Sequence, residues 1–241
     1  MTVDPMLLVG GSDIPIMDGL HVRQPTLDDI RQPEVGLARY QAYLSMLCMT
    51  AKDILAQGDT GLPQSLLEHL HAFDLMTGIG ELREPLHEAL GFFIREPLLY
   101  AEEERCFKTD SGRRIGRDNY EQVRNVILYI SCVKPPETEA PKFMSDTARK
   151  IFEKIKAGRE KSAKSAQNRD LSLHNVISKL SSRHPSYNLL NIWGLTVWQL
   201  FDQFGCTCVN TQLDVYGLRW AAWGKDEFDF SQWYKHTGDN A

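Results

Sequence analysis

Two cysteines separated by a single residue, Cys206 and Cys208, carry the most obvious metal-ligating chemistry in this chain of 241 residues. Structural zinc sites usually combine two ligand pairs, each with two to four residues between its members. Cys206 and Cys208 form only one pair, with a single residue between its members. Adding His174 or His184 does not supply the second ligand pair. Buried thiols are the preferred interpretation, and the odd total of five cysteines favours reduced side chains in a cytoplasmic compartment. We therefore expect no metal ion.

Catalytic and cofactor motifs are equally incomplete. The chain has no G-x-S-x-G nucleophile motif, and no cysteine lies in a known nucleophile motif. The segment Gly78-Ile79-Gly80 begins like a dinucleotide fingerprint, but Arg83 stands where the third glycine is needed, and the preceding segment has a helical pattern. The sequence therefore predicts no enzyme and no cofactor.

Three consecutive glutamates, Glu102, Glu103 and Glu104, are a further candidate for acid/base or cation chemistry. Neighbouring side chains of a strand point to opposite faces, so the three cannot converge on one ligand. A solvated edge strand is the better interpretation, because such charges also protect an edge from unwanted pairing.

The segment 142–169 is basic, with nine Lys or Arg residues against three acids. Nucleic-acid binding would use such a run, but the chain as a whole has a net charge of −5, and only Phe143 and Phe152 lie in the run to stack on bases. A solvated helix or linker is favoured, and nucleic acid is not expected as a partner. A nucleic-acid-binding regulator stays as a more distant alternative.

The aromatic residues of the C-terminal region suggest a surface for protein partners. All five tryptophans lie between Trp193 and Trp233. The last stretch interleaves large aromatics with acids, as a peptide that docks into a groove does. A tail folded back onto its own domain is an equal alternative. The predicted partner-binding residues are Trp220, Trp223, Phe228, Phe230, Trp233 and Tyr234.

The elements that carry these residues are predicted to be mainly helical. The first twenty residues suggest a short hairpin or extended arm over Leu7 to Val9 and Ile14 to Met17. Thr26 is predicted to cap a helix with Asp28 and Asp29 in its first turn. Pro33 interrupts this helix. Apolar residues then line one helical face from Leu37 to Ile54.

Further elements follow from the same patterns. We predict a helix from Pro63 through Leu75, a break at Gly78 and Gly80, and a helix from Leu82 to Phe93. A β-hairpin is predicted near 98–117, with its turn at Asp110 to Gly112. The next predicted helix begins at a capping-box-like Asp118-Asn119-Tyr120-Glu121 and buries Val123, Val126, Ile127 and Ile130.

The C-terminal region is predicted to contain two helices. One carries Leu173, Val176, Ile177 and Leu180 on one side, and the other extends through Leu190, Trp193, Trp198 and Phe201. Apolar residues recur at four-residue spacing in the second helix, so we expect much of it, including Leu190, to lie in the core. The prolines between Pro135 and Pro141 mark the best boundary. The predicted organisation is a mainly helical N-terminal domain at 1–134, a Pro-rich and then basic linker or helix at 135–170, and a helical, aromatic-rich part at 171–241.

Two segments resemble proteins encoded in tail-gene clusters of phages and prophages of Gram-positive bacteria. They are His184-Pro-Ser-Tyr-Asn-Leu-Leu-Asn-Ile-Trp-Gly-Leu-Thr-Val-Trp-Gln-Leu-Phe-Asp-Gln-Phe204 and Trp220-Ala-Ala-Trp-Gly-Lys-Asp-Glu-Phe-Asp-Phe-Ser-Gln-Trp233. The opening Gln24-Pro-Thr-Leu-Asp-Asp-Ile30 and the hairpin-then-helix from Asp110 to Ile130 also resemble that group.

This resemblance implies a tail assembly chaperone that binds the long, helical, apolar tape measure protein and the major tail protein, which forms the tail tube. An oligomer is compatible with that role. The alternative is a minor structural protein of the tail or baseplate, because the C-terminal part has a more ordered pattern than the mobile extension usual in such chaperones.

The expected location is the host bacterial cytoplasm, with the virion tail as the alternative. Residues Met1 to Leu20 contain no Lys or Arg and lack the regions of a signal peptide. No segment approaches the roughly 18 apolar residues that span a bilayer, so we expect no membrane partner.

Overall fold

The computed structural model describes residues 3–57, 71–134 and 171–224. These residues form mainly α-helices with two small antiparallel sheets, which confirms the predicted fold class. Within the described part of the chain, no helix is both long enough and apolar enough to cross a membrane. Inter-residue contacts divide the chain into two compact units, Met1–Thr138 with Gly194–Trp198, and Glu139–Trp193 with Gln199–Ala241.

The N-terminal segment begins with a helix, where the sequence pattern predicted an extended arm. Helix α1 spans Pro5–Gly10, because the Asp4 side chain caps its Met6 amide at 2.9 Å and Pro5 fits the first turn. A two-stranded hairpin does follow, but it pairs β1 (Ile14–Pro15) with β2 (His21–Val22). The prediction of an extended segment at Leu7 to Val9 was therefore wrong. Local capping outweighed the alternating apolar pattern.

Two capping boxes of the same type shape the next helices. The Thr26 hydroxyl accepts from the Asp29 amide at 3.2 Å and the Asp29 carboxylate accepts from the Thr26 amide at 2.8 Å, so α2 (Leu27–Arg31) begins where predicted. Helix α3 spans Gly36–Cys48 and α4 spans Ala51–Gln57. The predicted continuous face from Leu37 to Ile54 is therefore interrupted. Thr50 and Asp53 repeat the Thr26 and Asp29 arrangement, which starts a new helix there.

The next two helices meet at Ile79. Helix α5 spans Ala72–Gly78 and α6 spans Gly80–Phe93, which confirms the predicted break. The predicted helix from Pro63 lies mostly outside the described residues. Where the structure resumes, His71 has an extended backbone and caps α5 through its ring nitrogen. The predicted continuity of the helix through His71 was therefore wrong, whereas its last predicted residues, 72–75, are helical as expected.

The predicted hairpin is a three-stranded antiparallel sheet. Strand β3 (Leu98–Ala101) pairs with β4 (Cys106–Thr109), and β4 pairs with β5 (Arg114–Ile115). The predicted turn at Asp110 to Gly112 joins β4 to β5, and Gly112 has a φ of 81° that suits glycine. The glutamates 102–104 occupy the tight turn between β3 and β4. Their assignment to an edge strand was therefore wrong.

Helix α7 spans Tyr120–Ile130 and buries the four predicted residues Val123, Val126, Ile127 and Ile130. Its start differs from the predicted capping box, because the Asn119 side chain caps no helix amide. Instead Asn119 accepts from the Gly116 amide at 2.9 Å and donates to the Arg114 carbonyl at 2.8 Å. The Asn119 side chain therefore links the end of the sheet to the beginning of α7 by hydrogen bonds.

Aromatic rings fill the core of the first unit. The Phe73 ring lies 5.0 Å from that of Tyr120 and 6.1 Å from that of Phe107, measured between centroids. Phe93 is also fully buried. The contacts join α5, α7 and the sheet into one core, since each ring comes from a different element.

A segment distant in sequence completes the first unit. Thr196 forms an antiparallel bridge with Thr26, and the Leu27 amide donates to the Leu195 carbonyl at 2.8 Å. Leu195, Thr196 and Val197 are buried. The start of α2 is thus held by its own cap and by a returning strand-like segment.

The remaining described elements are α8 (Leu173–Arg183), a 3-10 turn at Ile192–Gly194, and α9 (Val197–Trp223). Helix α8 buries Val176, Ile177 and Leu180, as predicted. The predicted helix through Leu190 and Trp193 begins only at Val197, because the residues before it form a turn. Leu190 is 91% exposed, so its assignment to a core was wrong.

Candidate protein-binding surface

Helix α9 presents a long apolar surface. It has 27 residues and is therefore about 40 Å long. No residue between 201 and 224 is buried, although the helix is rich in large apolar side chains. Residues 201–223 include only three charged side chains, Asp202, Asp214 and Arg219. A helix that is apolar around most of its circumference normally packs against neighbours, so this surface is suited to binding.

Three aromatic side chains lie in a row near the end of α9. Tyr216 is 47% exposed, Trp220 is 53% exposed and Trp223 is 69% exposed. Their spacing of four and then three residues places them on one side of the helix. We call these three residues the aromatic stripe. The less exposed Val209 and Leu213 continue the same side toward the middle of the helix.

Two of the six predicted partner-binding residues belong to the aromatic stripe. Trp220 and Trp223 are exposed, as a contact surface requires. The other four, Phe228, Phe230, Trp233 and Tyr234, lie outside the described residues. Tyr216 was not predicted, although its place four residues before Trp220 was a usable signal.

A second apolar feature of the same unit is the loop between α8 and the 3-10 turn. The loop is organised by its own polar side chains. The His184 Nδ1 accepts from the amides of Ser186 and Tyr187, at 3.1 Å each. Asn191 accepts from the Asn188 amide at 2.8 Å and donates to the Ser186 carbonyl at 2.9 Å.

The consequence of this bonding is that two leucines point away from the loop. Leu189 and Leu190 are both exposed. The Leu190 amide donates to the Asn188 side chain at 2.8 Å, and the Trp193 indole donates to the Leu189 carbonyl at 2.7 Å. Because the backbone is already ordered, a partner that covers these leucines would lose little loop entropy on binding.

The candidate metal and acid sites are not assembled by the described residues. Within those ranges no three His, Cys, Asp or Glu side chains lie close enough together to hold a metal ion. Burial raises the pKa of the Cys206 thiol, and Asp202 raises it further, so the thiol stays protonated at neutral pH. Cys208 is exposed, so the prediction that this thiol is buried was wrong, and no disulfide joins any of the five cysteines.

The acidic turn between β3 and β4 is occupied by ion pairs. Glu102 pairs with Arg83 and Glu104 pairs with Lys108, all on the surface. These pairs satisfy two of the three glutamates. The Gly78-Ile79-Gly80 segment joins two helices and does not follow a strand, unlike a dinucleotide-binding turn.

A buried polar cluster lies in the first unit. The Arg124 guanidinium is buried and contacts the Glu121 carboxylate, while Tyr120 donates from its hydroxyl to the Met76 sulfur at 3.6 Å. Burial raises the pKa of the Tyr120 hydroxyl and that of the Cys48 thiol. The positive charge of Arg124 lowers both pKa values, but by less than burial raises them. The Tyr120 hydroxyl and the Cys48 thiol therefore stay protonated at neutral pH, which favours a structural role for both.

Comparison with known families gives one match. Residues 161–238 match the model of the family described as YomV second domain. No curated protein matches the chain, and no solved structure does. YomV is a Bacillus phage-region protein, so the match indicates a phage-associated protein without pointing to a tail-specific family. The matched residues include the whole aromatic stripe and the loop that exposes Leu189 and Leu190.

Proposed function

We propose that this phage-associated protein acts by binding other proteins, and that the aromatic stripe of α9 is its main contact surface. The observation that carries the proposal is the exposure of Tyr216, Trp220 and Trp223 in one row. Tryptophan and tyrosine dominate the hot spots of protein interfaces, where a few side chains supply most of the binding free energy.

The exposed area of the aromatic stripe is large enough to form a substantial part of a protein–protein interface. Fully burying an aromatic side chain covers about 150 to 250 Å², so the exposed fractions of the three correspond to about 250 to 420 Å². A standard interface buries about 800 Å² on each partner. The stripe alone thus supplies about a third to a half of such a surface, and Leu189 and Leu190 offer further apolar contact on the same unit.

In its finer form, the proposal is a tail assembly chaperone whose partners are the tape measure protein and the major tail protein. The low charge of α9 supports an apolar partner. A charged partner helix would lose the hydration of its charges on binding to α9 and would find few opposite charges there to pair with. The resemblance of both ends of the chain to products of tail-gene clusters supports the choice of partners. This role requires neither a catalytic centre nor a cofactor.

The direct test is a pull-down with the double variant Trp220→Ala, Trp223→Ala. The purified tape measure and major tail proteins of the same phage region serve as prey. We expect the double variant to lose at least about thirtyfold in affinity, since truncating one hot spot costs about 2 kcal/mol. Tyr129→Ala is the matched control, because Tyr129 is an equally exposed aromatic on α7 of the other unit. Unchanged binding by the double variant rejects the stripe as the contact surface.

A minor structural protein of the tail is the second candidate. The observation in its favour is the regular 27-residue helix α9, because a chaperone of this type would carry a mobile extension in that region. Mass spectrometry of purified particles separates the two roles. A chaperone is absent from finished particles, whereas a structural component is present at a fixed copy number.

A further inference from the structure

A second apolar row lies on the side of α9 opposite the aromatic stripe. Its members are separated alternately by three and four residues over three heptads, and none of them is charged. We call this row the heptad stripe; it consists of Phe201, Phe204, Cys208, Thr211, Val215, Leu218 and Ala222. This spacing is the one that joins helices in a left-handed coiled coil, with alternating members at the a and d positions.

The heptad stripe is accessible, most of all in its second half. Val215 is 50% exposed and Leu218 is 72% exposed, and Cys208 and Ala222 are exposed as well. Its one hydroxyl needs no outside partner, because Thr211 donates to the Thr207 carbonyl of its own helix at 2.8 Å. The stripe can therefore be covered by an apolar surface without burying an unsatisfied donor.

The charges beside the stripe indicate what covers it. With Phe201 at position a, Asp214 occupies a g position and Arg219 occupies the e position of the next heptad. In a parallel coiled coil, a g residue of one helix lies beside the e residue five positions later on its partner. Asp214 of each copy then meets Arg219 of the other, which gives two opposite-charge pairs by symmetry. An antiparallel pair brings g to g and e to e, so it loses this complementarity.

We propose that α9 pairs in parallel with α9 of a second copy of this chain through the heptad stripe. The contact is about 30 Å long, since three heptads rise about 1.5 Å per residue. The two aromatic stripes lie on the outer sides of such a pair and remain accessible to other partners. Self-association is thus independent of the proposed function, and each can fail without the other.

The two neighbouring cysteines of α9 provide a test. Cys208 occupies an a position, so the two copies of its thiol face each other in a parallel, in-register pair, whereas Cys206 occupies the outermost f position. Diamide joins two adjacent thiols in a disulfide and takes up their two protons and two electrons itself. We expect a linked dimer of the full chain on a non-reducing gel, retained in Cys206→Ser and lost in Cys208→Ser. A dimer that survives Cys208→Ser, or no linked dimer at all, overturns the proposal.

Analytical ultracentrifugation over a dilution series gives an independent measurement. Val215→Glu with Leu218→Glu should raise the dissociation constant of the dimer about a hundredfold or more, because the seam would then hold unpaired charges. Asn210→Glu is the control, since it places the same charge outside the seam and should leave the dimer intact. A wild-type chain that stays monomeric throughout the dilution series contradicts the proposal. The heptad stripe would then be covered by another protein or by another segment of the same chain.

The direction of the helices is tested by a charge exchange. Asp214→Arg places two arginines side by side in the parallel pair, and should weaken the dimer about tenfold across its two pairs. Adding Arg219→Asp should restore the wild-type dissociation constant, while circular dichroism checks that the helix content is unchanged. Failure of the double exchange to restore the dimer rejects the parallel arrangement.

Discussion

The buried guanidinium of Arg124 lies 2.8 Å from the carboxylate of Glu121, one turn earlier on α7. Its Nε atom has no hydrogen-bond partner among the described residues. Glu121 is more exposed than Arg124, so the pair is a buried cation held by a half-exposed anion. A buried charge is tolerated only while it is paired, and the stability of α7 therefore depends on the carboxylate.

We predict that Glu121→Ala lowers the free energy of unfolding by about 3 to 5 kcal/mol, because it leaves the Arg124 charge buried and unpaired. Adding Arg124→Met to it should recover most of this loss, since an apolar side chain of similar length needs no partner. Urea unfolding of the single and double variants measures both effects. Glu102→Ala, which removes an exposed pair with Arg83, should cost about 1 kcal/mol or less.

The capping box of α2 predicts a dependence of stability on pH. Burial raises the pKa of Asp29, but hydrogen bonds from the Thr26 amide and hydroxyl and the charge of Arg23 outweigh it, so the net pKa lies below its usual value. A lowered pKa stabilises the fold above the unfolded value of about 3.9, and the contribution is lost as the pH falls through the folded value. Wild type should therefore be more stable than Asp29→Asn at neutral pH. The difference should shrink as the pH falls below the unfolded value of about 3.9 in urea titrations; a constant difference would argue against the assignment.

The β4–β5 turn predicts opposite effects for two similar substitutions. Gly112→Ala should destabilise the protein by about 1 kcal/mol, because φ at this position is +81° and a side chain is strained there whatever the space. Gly91→Ala, in the last turn of α6, should stabilise by up to about 1 kcal/mol, because the backbone there is helical. A side chain at either position meets no atom within 4 Å. Thermal melts of the two variants thus compare backbone conformation alone.

The exposure of the aromatic stripe predicts that its residues contribute little to folding. Trp220→Ala with Trp223→Ala should change the free energy of unfolding by less than about 1 kcal/mol, whereas Phe73→Ala should cost about 3 to 5 kcal/mol. Denaturant melts beside the pull-down keep the two effects separate. A double variant that melts like Phe73→Ala would place the tryptophans in a core and contradict the proposed surface.

The elements that could be predicted from sequence are those with local causes. The Thr26 cap, the break at Pro33 and the turn at Gly112 depend on neighbours within a few residues, and all three occur where expected. The interruption between α3 and α4 has an equally local cause, the Thr50 to Asp53 box, but it was obscured by an apolar face that continues across it. Helix periodicity alone does not show where one helix ends and the next begins.

The remaining differences have non-local or geometric causes. The Leu190 side chain was expected in a core, yet Asn188 and Asn191 close a turn around it and leave it exposed. The tight turn after β3 has Arg105 at a φ of 49°, a conformation for which glycine is the usual signal. For the candidate surface, composition identified Trp220 and Trp223, but only their exposure distinguishes a binding surface from a core.

The return of Thr196 to Thr26 affects how the protein folds during its synthesis. The first compact unit ends its main stretch at Thr138 and is completed by Gly194–Trp198, so more than fifty further residues must be translated before the Leu27 amide finds its acceptor. At about 5 to 20 residues per second, ribosomes need several seconds for that interval. During this time the start of α2 lacks its bridge to Thr196, and the apolar side chains of Leu195 and Val197 are missing from the core of the first unit. The N-terminal part therefore passes through a nascent state with exposed apolar surface, in which chaperones or proteases would have their best access.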